Sequence, residues 1–182
     1  MTCIDIDKGK VERLRKGEAP FFEPYMEELL ALCRGRLSFD TSYDSVREAE
    51  VVFIAVGTPS KNDGAPDMSY VRSAAEETGR ALGPEFTVIV NKSTVPIGSG
   101  NWVASLVEDA RGSENHADYA VASSPEFLRE GSAVHDSLYA DRIVVGADDD
   151  RAIDTLQDLY RPITEQSFNP PTFLPRPDGL DV

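Results

Sequence analysis

Short apolar runs alternate along this chain with stretches of helical periodicity, and this alternation restricts the fold more than any other feature of the sequence. The runs Val51 to Val56, Phe86 to Val90 and Tyr119 to Ala122 are short and almost continuously apolar, the pattern of strands buried on both faces. Between them, Tyr70 to Leu82 and Gly98 to Arg111 read as helices. In the second of these, Val103, Leu106, Val107 and Ala110 fall at i, i+3, i+4 and i+7, so one stripe should face a sheet and Trp102 should pack at the helix edge. Strands separated by helices long enough to cross back over a sheet make parallel neighbours. The same reading gives strands at Thr2 to Ile6, Leu37 to Phe39 and Ile143 to Val145. Helices are expected at Lys8 to Lys16, Pro24 to Cys33, Ser45 to Glu48 with a capping-box pair, and Asp150 to Tyr160. The expected class is α/β, doubly wound, with a mostly parallel sheet.

Charge narrows the functions such a fold could carry. The 182 residues hold 18 basic and 32 acidic side chains, a net charge of −14. Nucleic acid and anionic membrane surfaces both need a basic footprint, so neither is an expected partner. No apolar run is long enough to span a bilayer, and no charged-then-apolar leader precedes the first strand. Cys3 and Cys33 read as small buried hydrophobes and not as a disulfide framework. A cytoplasmic location is the expectation, and no metal site is expected.

Three polar motifs stand where strands end. Val56-Gly57-Thr58-Pro59 follows the most apolar run of the chain; glycine lets a ligand approach the backbone and proline stops the strand. Lys92-Ser93-Thr94-Val95-Pro96 repeats the arrangement after the next strand, although Ser93 and Thr94 would serve equally well as caps of the helix near Gly98. After the third strand comes Ser123 to Ala133, with Glu126 and Glu130 four apart beside Arg129. Two acids and a base at one strand end point to proton handling, against the plainer reading of an exposed helical face. In open α/β sheets, carboxyl strand ends are where ligands bind.

At the other end of the chain, Asp5 closes the first strand, where a dinucleotide-binding βαβ unit keeps an acidic residue for the adenosine ribose. The alternative is that Asp5 and Asp7 only cap the helix at Lys8. No glycine-rich phosphate loop precedes Asp5, so the expected architecture is a Rossmann-like doubly wound sheet lacking its first βα unit. Such a sheet leaves strand edges open, and the chain by itself is expected to aggregate or to fold incompletely.

Taken in order, these motifs resemble a family, the nucleotide-sugar 6-dehydrogenases of the UDP-glucose/GDP-mannose dehydrogenase type. The matching segments are Asp5-Ile6-Asp7, Phe22-Glu23-Pro24, Val52 to Pro59, Asp63-Gly64, Asp67 to Val71, Lys92 to Pro96, Pro125 to Ala133 and Asp141 to Gly146. The run Phe127-Leu128-Arg129-Glu130-Gly131-Ser132-Ala133 favours the UDP-glucose branch. The resemblance implies oxidation of the C6 hydroxyl of UDP-glucose to a carboxylate with two NAD⁺, through an aldehyde and a cysteine-bound thioester. It implies that Asp5, with Lys10 nearby, binds the cofactor ribose, and that Val56, Gly57, Thr58, Pro59, Ser93, Thr94 and Val95 line the cofactor. Glu126 would act as acid and base, with Thr94 positioning water. Glu126, Phe127, Leu128, Arg129 and Glu130 would contact the nucleotide sugar, with Glu130 lying between sugar and nicotinamide.

Residues 1–165 are expected to form a partial NAD-binding domain, and 166–182 an exposed, poorly ordered Pro-rich tail in which Pro170, Pro171, Pro175 and Pro177 favour extended backbone. Neither cysteine lies in a context like the family's nucleophile loop, and the catalytic lysine has no counterpart. The chain is therefore expected to be a fragment of the enzyme, inactive by itself; the alternative is a non-catalytic module that binds NAD or a nucleotide sugar. The resemblance further implies a homodimer or higher assembly of the full-length enzyme.

Overall fold

The computed structural model describes residues 1–96, 98–113, 116–171, 173 and 174. In chain order the elements are β1 (Thr2–Ile4), α1 (Lys8–Lys16), α2 (Met26–Cys33), β2 (Ser38–Asp40), β3 (Val51–Ile54), α3 (Ser69–Ala81), β4 (Thr87–Asn91), α4 (Ser99–Arg111), β5 (Tyr119–Ser123), α5 (Ala133–Leu138), β6 (Gly146–Ala147) and α6 (Asp150–Thr164). Two 3₁₀ turns, Arg34–Arg36 and Asp44–Glu48, follow α2 and β2. The chain divides into two compact units, one of residues 1–42, 127–142 and 160–182, the other of 43–126 and 143–159. No helix among the described residues is long and apolar enough to cross a membrane.

The larger unit is built on a sheet of order β3-β4-β5-β6. β3, β4 and β5 are parallel, as their alternation with helices requires, and Ile54, Asn91 and Ser123 stand in register at their carboxyl ends. Every residue of β4 is buried, because this strand has a neighbour on each side. The α3 face of Val71, Ala74, Ala75, Thr78 and Gly79 is buried, as is the Val103, Leu106 and Val107 stripe of α4. The two helices approach closely: a Cβ at Gly79 would stand 2.6 Å from the Val107 carbonyl oxygen. Trp102 at the α4 edge lies under the Arg72 guanidinium, 5.3 Å from its ring centroid. α6 contributes Ala152 and Leu156 to the core.

In this unit the expected strand at Ile143 to Val145 is displaced. Strand pairing instead falls on Gly146 and Ala147, which run antiparallel to Ser123 and Ala122. Strand propensity forms no strand without a neighbouring ladder, and Val144 stays exposed. Ser45 to Glu48 does not form a boxed helix: the turn is 3₁₀, Tyr43 precedes it, and no side chain caps it. The bonding is i→i+3, from the Val46 N–H to the Tyr43 carbonyl and from the Ala49 N–H to the Val46 carbonyl. α6 continues beyond Tyr160 through Pro162, because a proline in the last turn removes only one late amide donor.

The smaller unit holds the parallel pair β1 and β2, with Thr2, Cys3 and Ile4 opposite Ser38, Phe39 and Asp40. α1 begins at Asp7, whose carboxylate accepts from the amides of Gly9 and Lys10 at 2.8 and 3.1 Å, and ends at Gly17 with φ 85°. α2 starts two residues later than expected, because Tyr25 takes a left-handed conformation (φ 66°) just before it. α5 is absent from the sequence reading; six residues are too few to show a 3.6 period. Contrary to the expectation of an exposed tail, its described part packs through apolar side chains: Leu174 is buried, the Phe168 ring lies 6.0 Å from that of Tyr139, and Phe173 stacks on Tyr25. The extended backbone expected at Pro175 and Pro177 lies outside the described residues.

Candidate functional site

In the larger unit the three motifs meet because their strands are parallel and in register. Ser93 ties the first two together. Its hydroxyl donates to the Val56 carbonyl at 2.7 Å and accepts from the Val56 amide at 3.0 Å, so the backbone is pinned as it leaves β3. The Thr58 hydroxyl donates to the Thr94 carbonyl at 3.0 Å. Gly57 between them leaves open space, with nothing within 4 Å of where a Cβ would stand. Pro59 and Val95 border the same loops, and Val95 is half-buried.

The second and third motifs meet through Thr94, whose hydroxyl donates to Glu126 Oε1 at 3.0 Å. The other oxygen, Oε2, is buried and has no hydrogen-bond partner among the described residues. Lys92 lies close by, its ammonium donating to the Ser124 carbonyl at 3.2 Å. Burial lowers the Lys92 ammonium from its ordinary value, against the opposing pull of Glu126. One carboxylate oxygen held by a hydroxyl, and one buried and free to accept, describe a group able to take a proton from a molecule delivered to it.

Both plainer readings of these motifs fail on geometry. Ser93 and Thr94 do not cap α4, whose preceding residue is Gly98 with no side-chain cap. Residues 124–129 form no helix, so Glu126 and Glu130 do not share a helical face. Only Glu126 joins the β-strand ends; Glu130 is exposed.

In the smaller unit Asp5 and Lys10 are brought together. Asp5 Oδ1 accepts from the Asp7 amide at 2.9 Å and Oδ2 takes the Lys10 ammonium at 2.5 Å. Burial works against the charge of Asp5, but Lys10 and the Asp7 amide outweigh it and hold the carboxyl below its usual range. The capping role falls to Asp7, which leaves Asp5 as a charged acceptor at the carboxyl end of a parallel strand.

Phe127, Leu128, Arg129 and Glu130 also belong to this unit. Phe127 and Leu128 are 46% and 44% exposed. The Arg142 guanidinium lies 4.6 Å from the Phe127 ring centroid. Arg129 does not extend freely: its Nη2 and Nε donate to Asp136 at 2.6 and 3.0 Å, and its backbone amide donates to the same carboxylate at 3.0 Å. This grip holds the Asp136 carboxyl well below the usual carboxylate range. Asp136 is absent from the sequence reading, because it lies on the unforeseen α5; its one signal is its place four residues after Ser132, whose hydroxyl donates to it at 3.1 Å.

Glu23 was read only as part of a matching motif, yet its buried carboxylate accepts from the amides of Gly131 and Ala133. A carboxylate amid Pro20, Phe21, Phe22 and Pro24 is the feature that could have singled it out. No group of three or more potential metal ligands occurs among the described residues.

Comparison with known proteins bears on this geometry. UDP-glucose 6-dehydrogenase YwqF of Bacillus subtilis is 43% identical over 165 residues, covering 89% of this chain and 37% of that protein. A UDP-glucose 6-dehydrogenase of Rhizobium meliloti is 46% identical over 169 residues, covering 90% and 38%. A solved UDP-glucose dehydrogenase from the hyperthermophilic archaeon Pyrobaculum islandicum superposes with a TM-score of 0.83 at 43% identity, covering 89% of this chain and 38% of that one. The chain thus spans somewhat over a third of the length of these relatives. Residues 1–164 match the NAD-binding domain of the UDP-glucose/GDP-mannose dehydrogenases, and the chain belongs to that family.

Proposed function

We propose that this chain supplies the cofactor-binding and proton-handling parts of an NAD-dependent UDP-glucose 6-dehydrogenase, which converts UDP-glucose to UDP-glucuronate. The observation that carries the reading is the Thr94–Glu126 pair, with one Glu126 oxygen held and the other buried without a partner among the described residues. The relatives named UDP-glucose 6-dehydrogenase support the choice of substrate.

Each unit taken by itself offers groups suited to part of a dinucleotide. Asp5 offers a charged acceptor suited to vicinal ribose hydroxyls, with Lys10 holding its orientation. Val56, Gly57, Thr58 and Pro59, with Ser93, Thr94 and Val95, form a lining of backbone and small side chains, open at Gly57 to close approach. Bound there, NAD⁺ would supply the hydride acceptor for C6 of the sugar, one NAD⁺ for each of the two oxidation steps. Glu126 takes the proton of the reacting water or hydroxyl on its free oxygen, while Thr94 fixes the direction of the carboxylate. Lys92, bound to the Ser124 carbonyl, places a positive charge beside this pair. Phe127, Leu128, Arg129 and Glu130 form the nucleotide-sugar segment.

Residues 1–165 are the partial NAD-binding domain in this reading, followed by a Pro-rich extension. A homodimer or larger assembly of the full-length protein, which the family resemblance implies, and a cytoplasmic location are part of the proposal. The test is NADH formation from UDP-glucose by the full-length protein. Glu126→Gln should lower kcat by a factor of about 10² or more; parental rates in that variant would remove Glu126 from the mechanism. If a protein of only this chain's residues binds NAD⁺ or UDP-glucose in a calorimetric titration but turns nothing over, the non-catalytic module is the better description.

A further inference from the structure

We propose that Glu23 is a positioning residue for the nucleotide-sugar segment: its carboxylate fixes the backbone at Gly131 and Ala133, and with it the direction in which Phe127 to Glu130 are presented. The proposal rests on the reading of that segment as the nucleotide-sugar contact.

Glu23 is only 8% exposed. Its Oε1 accepts from the Ala133 amide at 2.7 Å and its Oε2 from the Gly131 amide at 3.0 Å, across 110 and 108 residues of sequence. Both oxygens are used on backbone amides, and no cation pairs with Glu23 among the described residues. A carboxylate withdrawn from water needs such donors, and two charge-assisted bonds to adjacent stretches of backbone form a geometrically demanding anchor. Gly131 has φ 81°, a conformation that a side chain would strain, so the turn depends on both a glycine and an outside acceptor.

From the other side Asp136 holds the Arg129 amide, the Arg129 guanidinium and the Ser132 hydroxyl. Residues 129–133 are therefore fastened by two carboxylates approaching from different elements. What they fasten is exposed: Phe127 and Leu128 show nearly half of their surface and Glu130 is open to solvent. A buried charge that immobilises exposed side chains adds little to a core, whereas a rigid backbone under protruding contacts is what a binding segment requires.

Glu23→Gln preserves volume but replaces one acceptor oxygen with a carboxamide NH2, a donor that faces an N–H donor; Glu23→Asp keeps the charge on a side chain one methylene shorter. In the full-length protein, Glu23→Gln should speed amide hydrogen exchange in residues 127–133, raise KM and Kd for UDP-glucose about tenfold, and leave kcat nearly unchanged. Glu23→Asp should recover part of the affinity. Unaltered exchange at Gly131 and Ala133 would overturn the proposal, as would loosened exchange with parental KM, or a fall in kcat alone. If Glu23→Gln does not fold, the folded Glu23→Asp protein is judged by the same readouts, and parental KM with loosened amides again rejects the role. A parent protein that does not bind UDP-glucose would instead remove the nucleotide-sugar reading itself, and this proposal with it.

Discussion

That the second and third motifs both stand at strand ends was legible in the sequence; the Thr94–Glu126 bond follows because parallel strands in register convert equal offsets into neighbours. Side-chain networks with no offset to a strand end were not legible. Tyr119, at the start of β5, was read only as the first residue of an apolar run, yet its hydroxyl donates to Glu108 at 2.8 Å, and Arg111 grips the same carboxylate. Burial, and then the bond to Glu108, push the Tyr119 phenol up from 10.0 to about 12. The fold thus favours the neutral phenol. Its stabilisation is complete below the unfolded-state value near 10 and is lost as pH rises through about 12. In an alkaline titration followed by phenolate absorbance, subtracting Tyr119→Phe from the parent should isolate one of the six tyrosines, ionising near pH 12. A difference curve centred near pH 10 would show that neither the burial of Tyr119 nor its bond to Glu108 holds in solution.

Among the elements, those with long, regular patterns were legible and the short ones were not. α1 spans Lys8–Lys16 as expected, and α3 and α4 agree to within a residue at each end, because thirteen residues display their 3.6 period and their apolar faces. α5, with six residues, and β6, with two, owe their form to partners that no local pattern announces: the Asp136 grip on Arg129 in one, the edge of β5 in the other. The α3–α4 crossing shows what a pattern can and cannot give. Periodicity predicts which faces are buried, but not that Gly79 is where the two backbones come closest, with the Val107 carbonyl and the Ala110 methyl against it. Gly79→Ala would gain helix propensity of about 1 kcal/mol at an unconstrained site. Here the new methyl meets backbone that cannot rotate away, so overpacking should win and destabilise by about 1–3 kcal/mol. A lower denaturant midpoint at unchanged slope is the expected outcome, and a raised midpoint would mean that α4 slides aside without cost.

For the molecule as a whole, the distribution of core follows from strand length and neighbours. The larger unit contains a strand buried at all five positions and two helices with continuous apolar faces. The smaller unit, among the described residues, buries only Val11, Ala19, Val134 and Leu174 as apolar side chains, and its sheet is two strands of three residues. A two-stranded sheet is marginal by itself. Among the described residues β1 pairs only with β2, and β3 only with β4, so each sheet ends on a strand that has a strand neighbour on one side. Phe53 on β3 and Ile6 just beyond β1 are 39% and 72% exposed beside those edges. Open, apolar-flanked edges recruit further strands, from whatever chain supplies them. A protein of these 182 residues alone should therefore sediment as species larger than a monomer, and its Thr2–Ile4 amides should exchange hydrogen far faster than those of Val88–Val90. The charge of −14 works against association at low ionic strength, so added salt should increase the self-associated fraction. A monodisperse monomer with one sharp, cooperative melt and equal protection in both sheets would show that the edges are closed by means this topology does not contain.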